Sequence, residues 1–237
     1  MEQWKEEDLH ALVQIGSEQL FFDYFSAKAN AIGFEYCSFG LRLPVPIANP
    51  KTVVHQNYPK DWWERYQKNN YLRIDPTVRQ GLTSNTLILW SAETFSSAPE
   101  MWEDANAHGL RHGLAQPARD SQGTFGMLSL SRCEQHLDKK ELIANTPRVQ
   151  HMIQMLLVGM TRLVVPKMLP ESLSHLTPRE KEVLRWTADG KTSYEIGRIL
   201  SISISAVNFH INNAVAKLDT SNKTQAVVKA ALLGLLN

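Results

Sequence analysis

Residues 57–81, NYPKDWWERYQKNNYLRIDPTVRQG, bring several aromatic side chains with polar tips close to one carboxylate, Asp75. The aromatic residues are Tyr58, Trp62, Trp63, Tyr66 and Tyr71. An indole N–H only donates a hydrogen bond, an ionised carboxylate only accepts one, and a phenol does both. A core needs apolar bulk rather than so many polar tips. The stretch therefore indicates a pocket for a small amphipathic ligand, although helix capping by Asp75 and ordinary core packing of the tryptophans are alternatives.

A second set of chemically competent residues lies in the last sixty residues. Thr177–Glu180 and Thr192–Glu195 have the form of capping boxes, each of which begins a helix. The second of these helices is followed by the tight turn SISIS (201–205) and by residues 206–218, whose apolar positions recur at helical spacing. Asn222 begins a fourth helix. Two short helices joined by a few residues are typical of helix-turn-helix domains.

The outward face of the predicted helix 206–218 carries Asn208, His210 and Asn212. Asparagine can pair with the N6 and N7 atoms of adenine, so these side chains are competent to read base edges. A second group lies near helix starts, where backbone N–H groups and cations suit phosphate oxygens. These residues are Lys191, Thr192, Ser193 and Lys223. The alternative is a plain helical bundle with a solvated polar face.

The elements that must position the aromatic stretch include both predicted strands and predicted helices. Residues 34–43, 51–56, 86–90, 114–119 and 124–131 are predicted strands by alternation and β-branching. Residues 9–33, 101–110 and 140–164 are predicted helices, the first ending at Gly33 and the last interrupted near Pro147. This order favours a sheet covered on both faces.

Strand alternation places particular side chains together on the predicted sheet. Ser38 and Gly40 share one side of their strand, and Phe125, Met127 and Ser129 share one side of theirs. Small or hydroxyl residues on a covered face either allow tight helix packing or leave room for a ligand. Alternation alone does not decide between these two interpretations.

Composition limits the class of protein. With 43% hydrophobic and 21% charged residues among 237, we expect a globular chain in a reducing cytoplasm, with neither a signal peptide nor a membrane span. Residues 164–180 contain three prolines and are predicted to form a linker, with a boundary near Pro170. The residues from Ser172 onward hold eight Lys or Arg and five Asp or Glu, a net +3 that favours an anionic partner.

Signatures of catalysis are missing from the sequence. His108 and His112 lie four residues apart without a third ligand, so we expect no metal site and no cofactor. No nucleophile elbow, Walker loop or dinucleotide motif occurs, and Cys37 is expected in the core. The chain is therefore not expected to be an enzyme.

Residues 176–227 resemble the LuxR-type DNA-binding domain, whose hallmark Glu, Leu and Gly correspond to Glu180, Leu184 and Gly190. The resemblance implies a four-helix module that dimerises and binds dyad-symmetric promoter DNA. The positions that read bases in the family fall on Asn208 and Asn212. Since some relatives carry arginine there, the resemblance does not imply an operator sequence.

The remaining residues resemble the acyl-homoserine-lactone-binding domain of quorum-sensing regulators. That family's hallmark Trp, Tyr, Asp-Pro, Trp and Gly correspond to Trp62, Tyr66, Asp75-Pro76, Trp90 and Gly113, and NYP before Trp62 is similar to long-chain-responsive members. A receiver domain, the main alternative, would need a clustered acidic pair and a phosphoacceptor Asp that the sequence does not offer.

Together the resemblances imply an α+β protein. An α-β-α sandwich with an antiparallel sheet would bind the lactone (residues 1–165), followed by a linker (166–175) and an all-α helix-turn-helix domain (176–237).

The resemblance also implies roles in ligand binding. Trp62 would donate to the ring carbonyl, Asp75 would accept from the amide N–H, and the Tyr58 and Ser129 hydroxyls would donate to the amide carbonyl. The other contacts are non-polar or peripheral. Trp90 would form a wall near the lactone, Tyr66 would flank the chain, and Met127 and Ser38 would border the acyl tail.

The sequence thus favours a cytoplasmic homodimeric transcription factor that acyl-homoserine lactone controls, most simply as an activator. Two other hypotheses remain open: a signal-independent regulator or antagonist that acts by heterodimerisation, and a lactone hydrolase fused to DNA-binding helices. Acyl length, the 3-substituent and the direction of regulation are left open.

Overall fold

The computed structural model describes residues 13–170 and 175–236. These residues form two compact units. The first extends to Leu163, and the second comprises the chain from Val164 together with two short loops, Leu43–Lys51 and Ser121–Gly123. Part of the predicted helix 9–33 and part of the predicted linker lie outside the described residues.

The first unit is built on one antiparallel sheet of five strands in the order β2-β1-β5-β4-β3. The strands are β1 (Tyr36–Arg42), β2 (Thr52–Gln56), β3 (Ile88–Leu89), β4 (His112–Arg119) and β5 (Phe125–Arg132). Each strand lies where the sequence predicts one, so the α-β-α architecture and its antiparallel sheet are confirmed.

One face of the sheet is closed by α1 (Glu18–Ala31) and α5 (Lys139–Met168). Its side chains are fully buried, with Cys37, Phe39 and Leu41 no more than 1% exposed. Gly126 permits a close approach, because a Cβ there would lie 3.0 Å from Leu157 of α5. This face is ordinary core, and burial raises the pKa of the Cys37 thiol well above its usual range.

The opposite face carries shorter helical segments. They are α2 (Lys60–Lys68), a 3-10 turn (Tyr71–Arg73), α3 (Pro76–Gly81) and α4 (Pro99–Ala107). A Cβ on Gly81 would lie 3.2 Å from both Phe125 and Pro117, so α3 packs directly on the sheet. The residues of the aromatic stretch are therefore spread over the segments that cover this one face.

The interruption predicted near Pro147 is wrong, because α5 continues without a break from Lys139 to Met168. Pro147 lacks the N–H that would reach the carbonyl of Ile143, whose residue is 65% exposed, where solvent can hydrogen-bond that carbonyl. The rest of the helix is held by its buried side chains, which include Val149, Met152 and Leu156. Residues 164–168, assigned to the linker from the sequence, are likewise helical.

The second unit contains α6 (Pro178–Ala188), α7 (Ser193–Leu200), α8 (Ile204–Lys217) and α9 (Lys223–Leu232). Both predicted capping boxes are present, on Thr177 with Glu180 and on Thr192 with Glu195. Gly190, just past α6, has φ +80°, which favours glycine. The residues predicted to form the inner face of α8 are buried, which confirms the helix-turn-helix arrangement.

The helical spacing of Ile196, Ile199 and Leu200 predicts that they share one apolar face of α7, but Ile199 is 44% exposed. Among the described residues, no single helix is long and apolar enough to cross a bilayer; α7 and α8 meet that criterion only as a pair, and they are bent by 107°.

Glu180, the hallmark residue of α6, is a buried carboxylate that is only 3% exposed. It accepts a hydrogen bond from the backbone N–H of Thr177 at 2.7 Å and one from Lys217 of α8 at 2.8 Å. The carboxylate that caps α6 therefore also links α6 to the C-terminal end of α8.

Candidate functional site

Asp75 occupies the N-cap of α3 and is 7% exposed. Its Oδ1 accepts from the Thr77 backbone N–H at 2.8 Å and from the Thr77 hydroxyl at 2.7 Å. Its Oδ2 accepts from the Tyr66 hydroxyl at 3.0 Å and, as a carboxylate oxygen, has capacity for a second donor. Asp75 is thus a helix cap and an available acceptor at once.

Burial raises the pKa of Asp75, and the hydrogen bonds from Thr77 and Tyr66 only partly counteract this. Tyr66, which the resemblance assigns to the flank of the acyl chain, also holds the Asp75 carboxylate in place. Thr77 was missed by the sequence analysis, although an Asp-Pro-Thr sequence at a helix start is the signal for such a cap.

Asp75 lies beside a buried aromatic cluster on the same side of the sheet. Its members are Trp62, Tyr71, Phe95, Met101 and Leu110 at the centre, with Tyr36, Tyr58, Tyr66, Trp90 and Trp102 packed against them. The rings of Trp62 and Tyr66 meet edge to face at 5.7 Å, and those of Trp90 and Phe95 at 5.9 Å. Such contacts fix the indoles in position.

The indole nitrogens of Trp62 and Trp90 are buried, and neither has a hydrogen-bond partner among the described residues. A buried donor without a partner costs about 1–3 kcal/mol, so native proteins rarely keep one without a reason. Two such donors in one cluster indicate that a ligand with acceptor groups completes it.

Three successive rows of side chains cross this face of the sheet, following the strand register. The first row contains Tyr36, Ser131 and Gly113, the second Ser38, Ser129 and Ala115, and the third Gly40, Met127 and Pro117. Rows two residues apart along a strand are spaced by roughly 7 Å.

Side-chain hydroxyl groups cluster at the second row. The Tyr58 hydroxyl lies close to the Ser38 and Ser129 hydroxyls, and burial raises the pKa of Tyr58 well above its usual range. Ser38 and Ser129 face each other directly across β1 and β5. The structure thus brings Tyr58 and Ser129 together, and it places Ser38, which the sequence assigned to the acyl tail, beside them.

The first and third rows differ in available space. A Cβ on Gly113 would lie 2.7 Å from the Trp90 ring, so glycine is needed there for Trp90 to cover the sheet. A Cβ on Gly40, by contrast, would have no described heavy atom within 4 Å. Met127 is 9% exposed and packs with Ile88, Ala115 and Phe125, which closes the neighbouring part of the row.

Helix α8 exposes the predicted base-reading side chains. Asn208 and Asn212 are exposed and His210 is partly exposed, while Val207 and Ile211 face the core. The Ser193 hydroxyl donates to Asn208 Oδ1 at 2.8 Å, so Ser193 contacts Asn208 rather than lying apart from it. Phe209, missed by the sequence analysis, is 62% exposed between the two asparagines.

The predicted phosphate-binding residues lie at helix starts. Lys191 and Thr192 are exposed before α7, and Lys223 is the exposed first residue of α9. The Thr192 hydroxyl donates to Glu195 at 2.8 Å, which occupies part of its hydrogen-bonding capacity.

The two histidines that lie four residues apart, His108 and His112, each contact another residue. His108 contacts the carbonyl of Asp104 at 2.7 Å, and His112 packs on His136 with ring centroids 5.4 Å apart. Within the described ranges, no group of three or more His, Cys, Asp or Glu residues is arranged to hold a metal ion.

Two family descriptions match the chain: "Autoinducer binding domain" over residues 17–158, and "Bacterial regulatory proteins, luxR family" over residues 174–230. The chain belongs to the LuxR family of quorum-sensing transcription regulators. The matched ranges contain the aromatic cluster with Asp75 and the exposed asparagines of α8, respectively.

The chain is similar to several known regulators over nearly its full length. The transcriptional activator protein SolR of Ralstonia solanacearum is 41% identical over 96% of both chains. The HTH-type quorum-sensing regulator RhlR of Pseudomonas aeruginosa is 40% identical over 94% of this chain and 92% of that one. The crystal structure of Escherichia coli SdiA superimposes with a TM-score of 0.85 at 35% identity, covering 99% and 98%.

This LuxR-type chain is therefore a quorum-sensing transcription factor with an autoinducer-binding domain for acyl-homoserine lactone and a helix-turn-helix domain for DNA. The relatives are regulators rather than enzymes.

Proposed function

We propose that one acyl-homoserine lactone binds between the sheet and the aromatic cluster, held by Trp62, Trp90 and Asp75, and that its occupancy controls promoter binding by a homodimer. The observation that carries this proposal is the pair of buried, unpartnered indole donors beside a buried carboxylate. Donor-only and acceptor-only groups fix the polarity of the ligand that they accept.

The polar groups match the lactone one by one. Its ring carbonyl accepts from the Trp62 indole N–H, and its amide N–H donates to the free capacity of Asp75. The amide carbonyl accepts from the hydroxyl cluster of Tyr58, Ser129 and Ser38, and Trp90 covers the ring. Tyr66 orients Asp75 from the other side.

The acyl tail extends over the third row of the sheet, along Gly40 and Met127. The tail cannot run beneath α3, because Gly81 packs closely against Phe125 and Pro117 there. Above Gly40, by contrast, there is free space for the tail. Each buried methylene contributes about 0.8 kcal/mol, so the free length over Gly40 determines which acyl chains bind tightly.

Replacing Gly40 by leucine is expected to lower affinity for a dodecanoyl lactone about tenfold, with little loss for a hexanoyl lactone. The new side chain takes the place of about two tail methylenes. Isothermal titration of both ligands measures the ratio. Gly16→Leu is the matched control, because a Cβ on Gly16 also has no described neighbour within 4 Å but lies outside the sheet. Equal losses for both lactones in Gly40→Leu would contradict the tail assignment.

DNA binding follows from the second unit. Asn208, Asn212 and His210 of each protomer read base edges in the major groove, and Lys191, Thr192, Ser193 and Lys223 approach the phosphates. Two such units on a dyad meet successive major grooves. A ligand that binds only the native state stabilises it by mass action, so lactone increases the amount of folded dimer.

The experiment that tests the proposal measures lactone binding and operator binding on the same protein. Wild type purified with lactone should bind a dyad-symmetric promoter fragment as a dimer. The double variant Asn208→Ala, Asn212→Ala should retain lactone and lose the operator. Operator binding that is equally tight without any lactone would instead favour the signal-independent antagonist that heterodimerises, and recovery of hydrolysed lactone would favour the hydrolase.

Because its target is promoter DNA, we place the protein in the cytoplasm, where it acts as an activator. The functional boundaries of this proposal are 1–165 for lactone binding, 166–175 for the linker, whose first three residues form the end of α5, and 176–237 for DNA binding. A reporter fused to the target promoter should rise with added lactone; a fall would identify a repressor.

A further inference from the structure

Ser131 of β5 is 0% exposed, and no described residue hydrogen-bonds its hydroxyl. It lies outside every role given above. A serine in a tight core can be kept for its small size alone, but its hydroxyl then normally contacts a backbone carbonyl or a neighbouring side chain. The missing partner is therefore the feature to explain.

The strand register places Ser131 one row of side chains from Ser129 on the sheet. It lies two residues from Ser129 and thus on the same face of the sheet. Across the strands it faces Tyr36 on one side and Gly113 on the other. Trp90 covers Gly113, with its ring 2.7 Å from where a Cβ would be, so Ser131 is adjacent to an indole whose own N–H is also unpartnered.

The three rows of the sheet follow the order of groups in the ligand. The third row carries the tail, the second row carries the amide, and the first row, with Ser131 and Trp90, remains for the ring. Ser131 Oγ and the indole nitrogens of Trp62 and Trp90 are all buried without a partner among the described residues, and the two indoles can only donate. A lactone ring offers acceptors alone, namely its carbonyl oxygen and its ring ester oxygen.

We propose that Ser131 is a further ligand-binding residue whose hydroxyl donates to the ring ester oxygen of the lactone. This inference rests on the proposed function and adds a contact that distinguishes a lactone from a ring without oxygen at that position. Trp62 engages the ring carbonyl, so the ester oxygen is the acceptor left for the serine.

The test compares Ser131→Ala with wild type against two ligands that share an acyl chain. One is the lactone and the other is its cyclopentanone analogue, in which a methylene replaces the ring oxygen. Wild type should bind the lactone about fivefold more tightly than the analogue, because the analogue cannot accept a neutral hydrogen bond from Ser131. Ser131→Ala should lose this preference. It should bind the analogue with the affinity of wild type. Titration calorimetry supplies both affinities.

Stability without ligand provides a second readout. Removing a buried hydroxyl that has no partner should leave the unfolding temperature of the ligand-free protein unchanged or raise it. A Ser131→Ala variant that weakens both ligands equally, or that keeps the lactone preference, overturns the inference. Failure of wild type to bind either ligand would overturn the proposed function instead, so the two failures are distinguishable.

Discussion

Replacing Asp75 by asparagine is expected to lower lactone affinity about 100-fold and to abolish the transcriptional response. The carboxylate loses its charge, and a hydrogen bond to a charged group contributes about 1.5–3 kcal/mol. Asparagine is as good an N-cap as aspartate, so α3 keeps its start and the effect is not one of folding. Fluorescence or calorimetric titration with lactone measures the affinity, and a promoter reporter measures the response.

Asp61→Asn is the matched control. It makes the same chemical change as Asp75→Asn, but at an exposed residue in the first turn of α2. It should leave both measurements unchanged. Since burial raises the pKa of Asp75, affinity in wild type should begin to fall on acidification at a higher pH than an ordinary aspartate would dictate. An Asp75→Asn variant that keeps wild-type affinity would contradict the role of the carboxylate.

The Glu180→Gln substitution should destabilise the DNA-binding unit by about 2–3 kcal/mol, since the buried carboxylate accepts from both Lys217 and Thr177. Glutamine can still reach the Thr177 N–H, but its amide group turns a donor toward the Lys217 ammonium. Urea titration followed by hydrogen exchange of peptides within residues 176–236 measures the loss in the intact chain. Glu182→Gln is the control, because its partner Arg179 forms only a half-exposed surface pair.

The same carboxylate gives an acid dependence with a defined sign. Burial alone would raise the pKa of Glu180, but hydrogen bonds from Lys217 and Thr177 outweigh it and hold the pKa below its ordinary value of 4.5. The stabilisation is therefore present above about pH 4.5 and is lost as the pH falls through the lower folded-state pKa. Glu180→Gln should be less stable than wild type at neutral pH and should show less of this acid-side loss; equal acid profiles would contradict the assignment.

Local signals were enough to predict most of the architecture. The capping boxes at Thr177 and Thr192 and the alternation in β1 and β5 depend on neighbouring residues only, and the structure has each where the sequence predicts it. Pro147 was misjudged because a proline penalty is local, whereas burial along the rest of α5 is a tertiary effect.

The site was predictable in its residue types but not in its hydrogen bonding. Trp62, Asp75 and Trp90 could be named from spacing, but only coordinates show that both indoles lack partners and that Tyr66 donates to Asp75. Ser131 shares a face with Ser129 by simple alternation, yet its complete burial depends on tertiary packing that alternation does not show. Similarly, the open space over Gly40 and the contact of Ser193 with Asn208 depend on distant elements.

Nitrogen–proton NMR of the tryptophan indoles tests the central claim most directly. The chain has six tryptophans, and Trp62→Phe and Trp90→Phe assign the two signals of interest. On titration with an acyl-homoserine lactone, we expect the Trp62 indole proton to move strongly downfield as it gains a hydrogen bond, with a change at Trp90. Saturation of the titration with both signals unmoved would contradict binding of the lactone at this cluster.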